Sequence, residues 1–165
     1  MSKLIFDFTD PHAAETWQAI DDRVMGGLSR STLRQDPAGH AAFEGTVSLE
    51  RNGGFASVRS APGAHGLAGA EACIIEVCGD GKRFKLSLIT DDAFDSINYQ
   101  CAFMPAGGGW HVLRLPLQDF RASFRGREVA GAPLLDPARI RQAGLLIGAK
   151  QAGPFELNIR RISLA

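Results

Sequence analysis

Asp21-Asp22-Arg23-Val24-Met25-Gly26-Gly27-Leu28-Ser29 packs two acids, a base and two glycines into one short stretch. Glycine permits left-handed backbone, and carboxylates there can accept from loop amides. The stretch reads as a hydrogen-bonded loop or as a pocket wall, with Asp22 and Arg23 as its candidate binding groups. Asn52-Gly53-Gly54-Phe55-Ala56-Ser57-Val58-Arg59 is a turn followed by a strand that carries an arginine, a residue suited to planar recognition of carboxylate. A buried Asp22 to Arg59 pair would join the two stretches, although desolvation would offset much of the attraction. Tyr99-Gln100 and Trp110 offer amphipathic rings and an amide, expected on adjacent strands. Such a set can stack on and hydrogen-bond a polar ligand such as a sugar; core packing of the rings is the competing reading.

Nucleophilic, metal and phosphate chemistry find little support. Gly79-Asp80-Gly81-Lys82 lacks the spacing of a phosphate-cradling loop and a helix to follow it, and reads as a hairpin turn. His12, His40, His65 and His111 never fall two to four residues apart, so no local metal pair exists. Asp91, Asp92 and Asp95 lack the calcium-loop pattern and read as a solvated acidic turn. Gly27-Leu28-Ser29-Arg30-Ser31 lacks the second glycine of a nucleophile elbow. No catalytic residue, cofactor or metal is expected.

The elements that must position these groups are strands. Apolar residues alternate at Leu4/Phe6/Phe8, Phe43/Val47/Leu49, Cys73/Ile75/Val77, Phe84/Leu86/Leu88, Ile97/Tyr99/Cys101/Phe103, His111/Leu113/Leu115, Leu145/Ile147/Ala149 and Phe155/Leu157/Ile159. Gly and Pro clusters separate them, so the pattern predicts a β-sandwich or barrel. Helix is expected only after Asp10-Pro11, with Trp17, Ile20 and Val24 on one face, and as a turn from Asp136-Pro137 to near Gly144. In the last strand the apolar parity slips at Arg160-Arg161, which predicts a β-bulge that turns an arginine outward.

The 165 residues carry 18 basic and 18 acidic groups, which suits one domain over residues 1–165 and argues against binding nucleic acid by bulk charge. Residues 1–95 hold 9 basic and 14 acidic groups, and residues 96–165 hold 9 and 4. Either the second half builds a basic surface, from Arg121, Arg125, Arg127, Arg139, Arg141, Lys150, Arg160 and Arg161, or the halves neutralise each other across neighbouring strands. Three cysteines without a C-x-x-C pair indicate a reducing compartment. The N-terminus, interrupted by Asp7 and stopped at Asp10-Pro11, reads as neither a signal nor a transit peptide, and no stretch is long enough for a membrane span. A cytoplasmic protein is expected.

The succession from Asp21–Ser29 through Phe43–Leu49, Asn52–Arg59, Gly79–Phe84, Tyr99-Gln100 and Phe124-Arg125-Gly126-Arg127 to Lys150–Phe155 resembles the complex I intermediate-associated protein family. Phe84 stands where that family often has Tyr. The resemblance implies an all-β, galactose-binding-like jelly-roll sandwich with a short N-terminal helix, and kinship with a non-catalytic factor that assists assembly of NADH:ubiquinone oxidoreductase. The chain looks like a stand-alone bacterial member. The function expected is therefore a chaperone-like, non-enzymatic module with a protein partner; the alternative is a carbohydrate or small polar-ligand module. Its candidate binding residues are Asp22, Arg23, Arg59, Tyr99, Gln100, Trp110, Arg125 and Arg127.

Overall fold

A computed structural model describes residues 1–21, 27–51 and 53–165. Asp22, Arg23, Gly26 and Asn52 lie outside the described residues. The strands are β1 (Lys3–Asp7), β2 (Trp17–Ala19), β3 (Arg30–Asp36), β4 (His40–Val47), β5 (Ala56–Ser60), β6 (Ala72–Cys78) and β7 (Phe84–Ile89). They continue with β8 (Asn98–Phe103), β9 (His111–Pro116), β10 (Arg121–Phe124), β11 (Arg127–Glu128), β12 (Gln142–Ile147) and β13 (Gly153–Leu164). All strand pairings are antiparallel. One sheet has six strands in the order β3-β4-β13-β6-β9, with β1 also on β13. The other has seven, in the order β11-β10-β8-β7-β12-β5-β2.

Alternation along each strand sends one set of side chains between the sheets. Phe43, Phe155, Leu157, Ile159, Cys73, Ile75 and Val77 meet Phe84, Leu86, Leu88, Leu145, Ile147 and Val58 there, all nearly or wholly buried. The rings of Phe43 and Phe84 stand edge to face across the gap at 6.2 Å, and Phe43 meets Phe155 at 5.0 Å. Close packing of β3 on β4 requires glycine at position 45, where a Cβ would lie 2.0 Å from the Arg30 carbonyl oxygen. The bulge at Arg160-Arg161 forms as the parity slip predicts. Ile159 pairs with Val77 and Arg161 with the next residue, Glu76, so Ile162 and Leu164 return to the core.

Three expectations are corrected. No N-terminal helix forms among the described residues: Ala13–Thr16 makes one 3-10 turn and Trp17 then enters β2. Trp17 wins more by packing edge-on against Phe6 (5.0 Å) and Phe8 (5.7 Å) while its backbone pairs with Ser60 than a helical stripe could return. Asp136 does cap a turn, accepting from the Ala138 N–H at 3.0 Å, but the turn ends at Arg139 and Gly144 lies mid-strand in β12. Gly79-Asp80-Gly81-Lys82 is not a hairpin turn, because β6 and β7 belong to different sheets. It is a crossing between layers, fastened to β13 by Asp80 Oδ2, which accepts from the Glu156 N–H at 2.8 Å, and by Lys82 Nζ, which donates to the Pro154 carbonyl. Among the described residues no helix is long and apolar enough to cross a membrane.

The charge asymmetry resolves in part as neutralisation between the halves: of the eight basic residues, Arg125, Arg141, Arg160 and Arg161 pair with acids of the first half, and Arg121, Arg127, Arg139 and Lys150 make no ion pair with any described residue. Arg125 pairs with Asp95 at 2.5 Å, Arg141 with Asp92 at 2.7 Å, and Arg161 with Glu76 at 3.1 Å and with Asp7 at 3.7 Å.

Candidate binding face

Among the residues that alternate away from the core on the seven-stranded sheet, one row across the strands is polar apart from a glycine. Register places Gln18, Arg59, Gly144, Ser87, Gln100 and Arg121 side by side across six strands. The centre of this row is low. Gly144 carries no side chain, and a Cβ there would lie 2.6 Å from Ser87 Oγ, so the hydroxyl occupies the space above the glycine. Gln100 donates from Nε2 to Asn98 Oδ1 at 2.6 Å, which orients its amide and turns Oε1 to other donors. A second row holds Ser57, Leu146, Lys85 and Ala102.

One end of the face is bounded by an arm, the connection 90–97 between β7 and β8. Gln142 donates to the carbonyls of Asp91 and Ala93, and Arg59 Nη1 donates to the carbonyl of Phe94 at 2.6 Å. Asp92 and Asp95 are gripped by Arg141 and Arg125, which hold both carboxyls below the usual carboxylate range. Ile89, on the outward side of β7, is buried although it lies outside the main core cluster. The arm leaves the Phe94 ring 61% exposed, with the Arg59 guanidinium 5.7 Å from its centroid. Burial pulls Arg59 below the usual arginine value, against the opposing charges of Asp95 and Asp91.

The structure brings together some of the candidate residues and separates others. Arg59 and Gln100 share the face. Arg125 stands in the β10–β11 hairpin at φ 50, followed by Gly126 at φ 79, a left-handed pair that makes the two-residue turn. From there it reaches the arm through Asp95. Arg127 is exposed on the two-residue strand β11, at the sheet's edge. Tyr99 and Trp110 are not on adjacent strands, contrary to expectation. The Tyr99 ring lies in the core with its hydroxyl donating to the Pro133 carbonyl at 2.8 Å. Trp110 belongs to the other layer, with the Arg160 guanidinium 4.0 Å above its ring and His40 edge-on at 5.3 Å. Asp22 and Arg23 lie outside the described residues. The neighbouring Asp21 is buried, its carboxylate accepting from Ser31 and Ser57. Sequence reasoning names Arg121 only within a possible basic surface and misses Ser87 and Gly144, although Ser87 sits at the outward position between Leu86 and Leu88. Among the described residues no group of three or more His, Cys, Asp or Glu could hold a metal ion.

The fold matches that of carbohydrate-binding modules. A family 11 carbohydrate-binding module from Clostridium thermocellum, in complex with a β-1,3-1,4-mixed-linked tetrasaccharide, superposes with TM-score 0.69 at 14% identity. The match covers 99% of this chain and 94% of that one. A family 29 carbohydrate-binding module superposes with TM-score 0.54 at 9% identity, covering 100% of this chain and 91% of that one. These likenesses establish a jelly-roll-like sandwich. In sequence, the chain is 28% identical to an uncharacterized protein of Schizosaccharomyces pombe over 90% of its own length and 77% of the relative's. It is 26% identical to the mitochondrial complex I intermediate-associated protein 30 of Mus musculus over 96% of its own length and 54%, about half, of the relative's. A model of the complex I intermediate-associated protein 30 (CIA30) family matches residues 6–159, and the chain belongs to that family.

Proposed function

We propose that this chain is a non-catalytic protein-binding module that assists assembly of a multi-subunit respiratory complex, in the manner its family name describes, and that the outer face of the seven-stranded sheet is where it binds. Membership of the CIA30 family supports the assembly role. The observation that carries the choice of partner is the make-up of the face. Its row of Gln18, Arg59, Gly144, Ser87, Gln100 and Arg121 offers hydrogen-bond donors and acceptors over a flat floor, and none of the residues in that row is aromatic. Arginine flanked by an exposed ring, here Arg59 beside Phe94, is the composition on which protein interfaces concentrate their affinity. The three free cysteines fit action in a reducing, cytoplasmic setting.

Co-purification from the native host followed by mass spectrometry tests the proposal. Subunits or assembly intermediates of NADH:ubiquinone oxidoreductase are expected to accompany the tagged protein. Normal rate and yield of complex assembly in a deletion strain, with no co-purifying subunit, would end it.

A carbohydrate or small polar-ligand module is the second reading, favoured by the likeness to modules such as the one solved with a tetrasaccharide. The same face would then hydrogen-bond hydroxyls through Ser87, Gln100 and the arginines. It would do so without Tyr99 or Trp110, which lie in the core and on the other sheet. A glycan array with no hit would remove it.

A further inference from the structure

We infer that the outer face of the seven-stranded sheet takes an extended, acidic segment of a polypeptide, an inference that rests on the protein-binding reading and names the partner's chemistry. Three cations stand on the face: Arg59 on β5, Lys85 on β7 and Arg121 on β10. Against them, register puts a single carboxylate on this face among the described residues, Glu128 on the marginal strand β11. The acids of the neighbouring arm are already engaged. Asp91 accepts from the Ala93 N–H and Ser96 Oγ, Asp92 from Arg141 and Asp95 from Arg125. Lys85 and Arg121 are exposed and make no ion pair with any described residue. The face is therefore positive within a chain of zero net charge.

The spacing selects the form of the ligand. Arg59 and Arg121 are separated by four strand intervals, roughly 19 Å at ~4.8 Å each. Lys85 lies two strands from either and two residues along, about 12 Å from both. An extended chain rises ~3.3 Å per residue, so side chains six residues apart span the arginines, and an even separation puts both on the same side. The floor between them suits a backbone. Gly144 and Ser87 keep it low, and Gln100 Oε1 and the Ser87 hydroxyl can meet passing amides. Phe94 at the Arg59 end gives an apolar neighbour a contact. A nucleic-acid strand fits worse, because its charges recur every ~3.4 Å and its bases need rings to stack on.

Calorimetric titration tests this with an acetylated, amidated peptide of about twelve residues in a Val/Thr/Ser background, bearing two glutamates six residues apart, the spacing that spans ~19 Å. Its twin carries glutamines. The glutamate peptide is expected to bind roughly tenfold tighter than the twin, about 1.4 kcal/mol, and to weaken in about 0.5 M NaCl. Lys85→Glu and Arg121→Glu, both at exposed positions, should each abolish the preference, while Arg114→Glu on the opposite sheet should keep it. No binding, equal binding of the twins, equal loss in Arg114→Glu, or tighter binding of hexagalacturonate or single-stranded DNA would each overturn the inference. If respiratory subunits still co-purify with Arg121→Glu as with wild type, the protein-binding reading stands and this inference falls. If the peptide binds as expected but no protein partner is recovered from cells, the assembly reading falls instead.

Discussion

Asp21 shows how much a single side chain can hold when it sits between layers. Its carboxylate accepts from the Ser31 N–H at 3.0 Å, from Ser31 Oγ at 2.5 Å and from the Ser57 N–H at 3.1 Å. Ser31 belongs to an outer strand of the six-stranded sheet and Ser57 to the seven-stranded one, so one buried group ties the two sheets at their edge. Ser57 Oγ adds a hydrogen bond to the Ile20 carbonyl one residue away. Alanine at position 21 would take the acceptor from the Ser31 and Ser57 N–H groups and leave Ser31 Oγ only the Ser57 carbonyl at 3.3 Å. Hydrogen bonds to a charged group are worth about 1.5–3 kcal/mol each and are not additive, so Asp21→Ala should cost about 3 kcal/mol. Asp21→Asn, which keeps one oxygen acceptor, should cost less. Urea unfolding measures both, and an unchanged midpoint for Asp21→Ala would show that Ser31 and Ser57 find water as readily as the carboxylate.

At the scale of the element, β6 offers a direct readout of which side of a strand faces where. Cys73 and Cys78 lie on opposite faces of it, Cys73 wholly buried and Cys78 half-buried on the outer side. Burial pushes the Cys73 thiol up to about 12, so at pH 8 roughly one molecule in ten thousand carries the reactive thiolate. Burial also raises Cys101. Iodoacetamide should therefore label the native protein at Cys78 alone, and all three cysteines after denaturation. Peptide mapping by mass spectrometry reads this directly, and early labelling of Cys73 would mean that β6 is out of register. The same alternation made β1, β4, β6, β7, β8, β9, β12 and β13 legible in sequence, together with the bulge in β13. It could not reveal β3 or β10, whose outer-strand positions are mostly polar, nor β2, whose pairing with β5 depends on residues far along the chain. Alternation also tells which residues share a face without telling which sheet a strand joins. Arg59 and Gln100 could thus be picked out from their own strands. Grouping Tyr99 with Trp110 required the strand order, which follows from connections of which eight of the twelve cross between layers. Arg121 enters the sequence reading only as part of a basic surface, because nothing short of the strand order sets it beside Gln100.

For the whole molecule, acid should act in two stages with different physical causes. His65 packs against Phe6, ring centroids 4.6 Å apart, and burial lowers its pKa below the ordinary 6.5, with Lys3 and Arg141 adding to the effect. A base depressed in the folded state protonates first in the unfolded chain, so stability is whole above about pH 6.5 and begins to be lost below it. The second stage belongs to carboxyls held below their usual range: Asp7 by the Thr9 hydroxyl, Asp36 by the Ala38 N–H, Glu44 by Arg34, Asp92 by Arg141 and Asp95 by Arg125. Their contribution is present above the unfolded value and disappears as pH falls through the lowered ones, below about pH 4. Glu156 opposes this weakly, since burial and the adjacent Glu44 raise it and its favourable protonated form persists at low pH. Salt separates the stages. Exposed pairs such as Asp95–Arg125 are screened at about 0.5 M NaCl, whereas desolvation of an imidazole is not. The melting temperature should thus fall in two limbs, from pH 7 to 5 and again below 4, with high salt flattening the second more than the first. A flat profile from pH 7 to 5 would show that His65 is not depressed in the folded state, and a first limb that salt removes would show that charge repulsion rather than burial sets it.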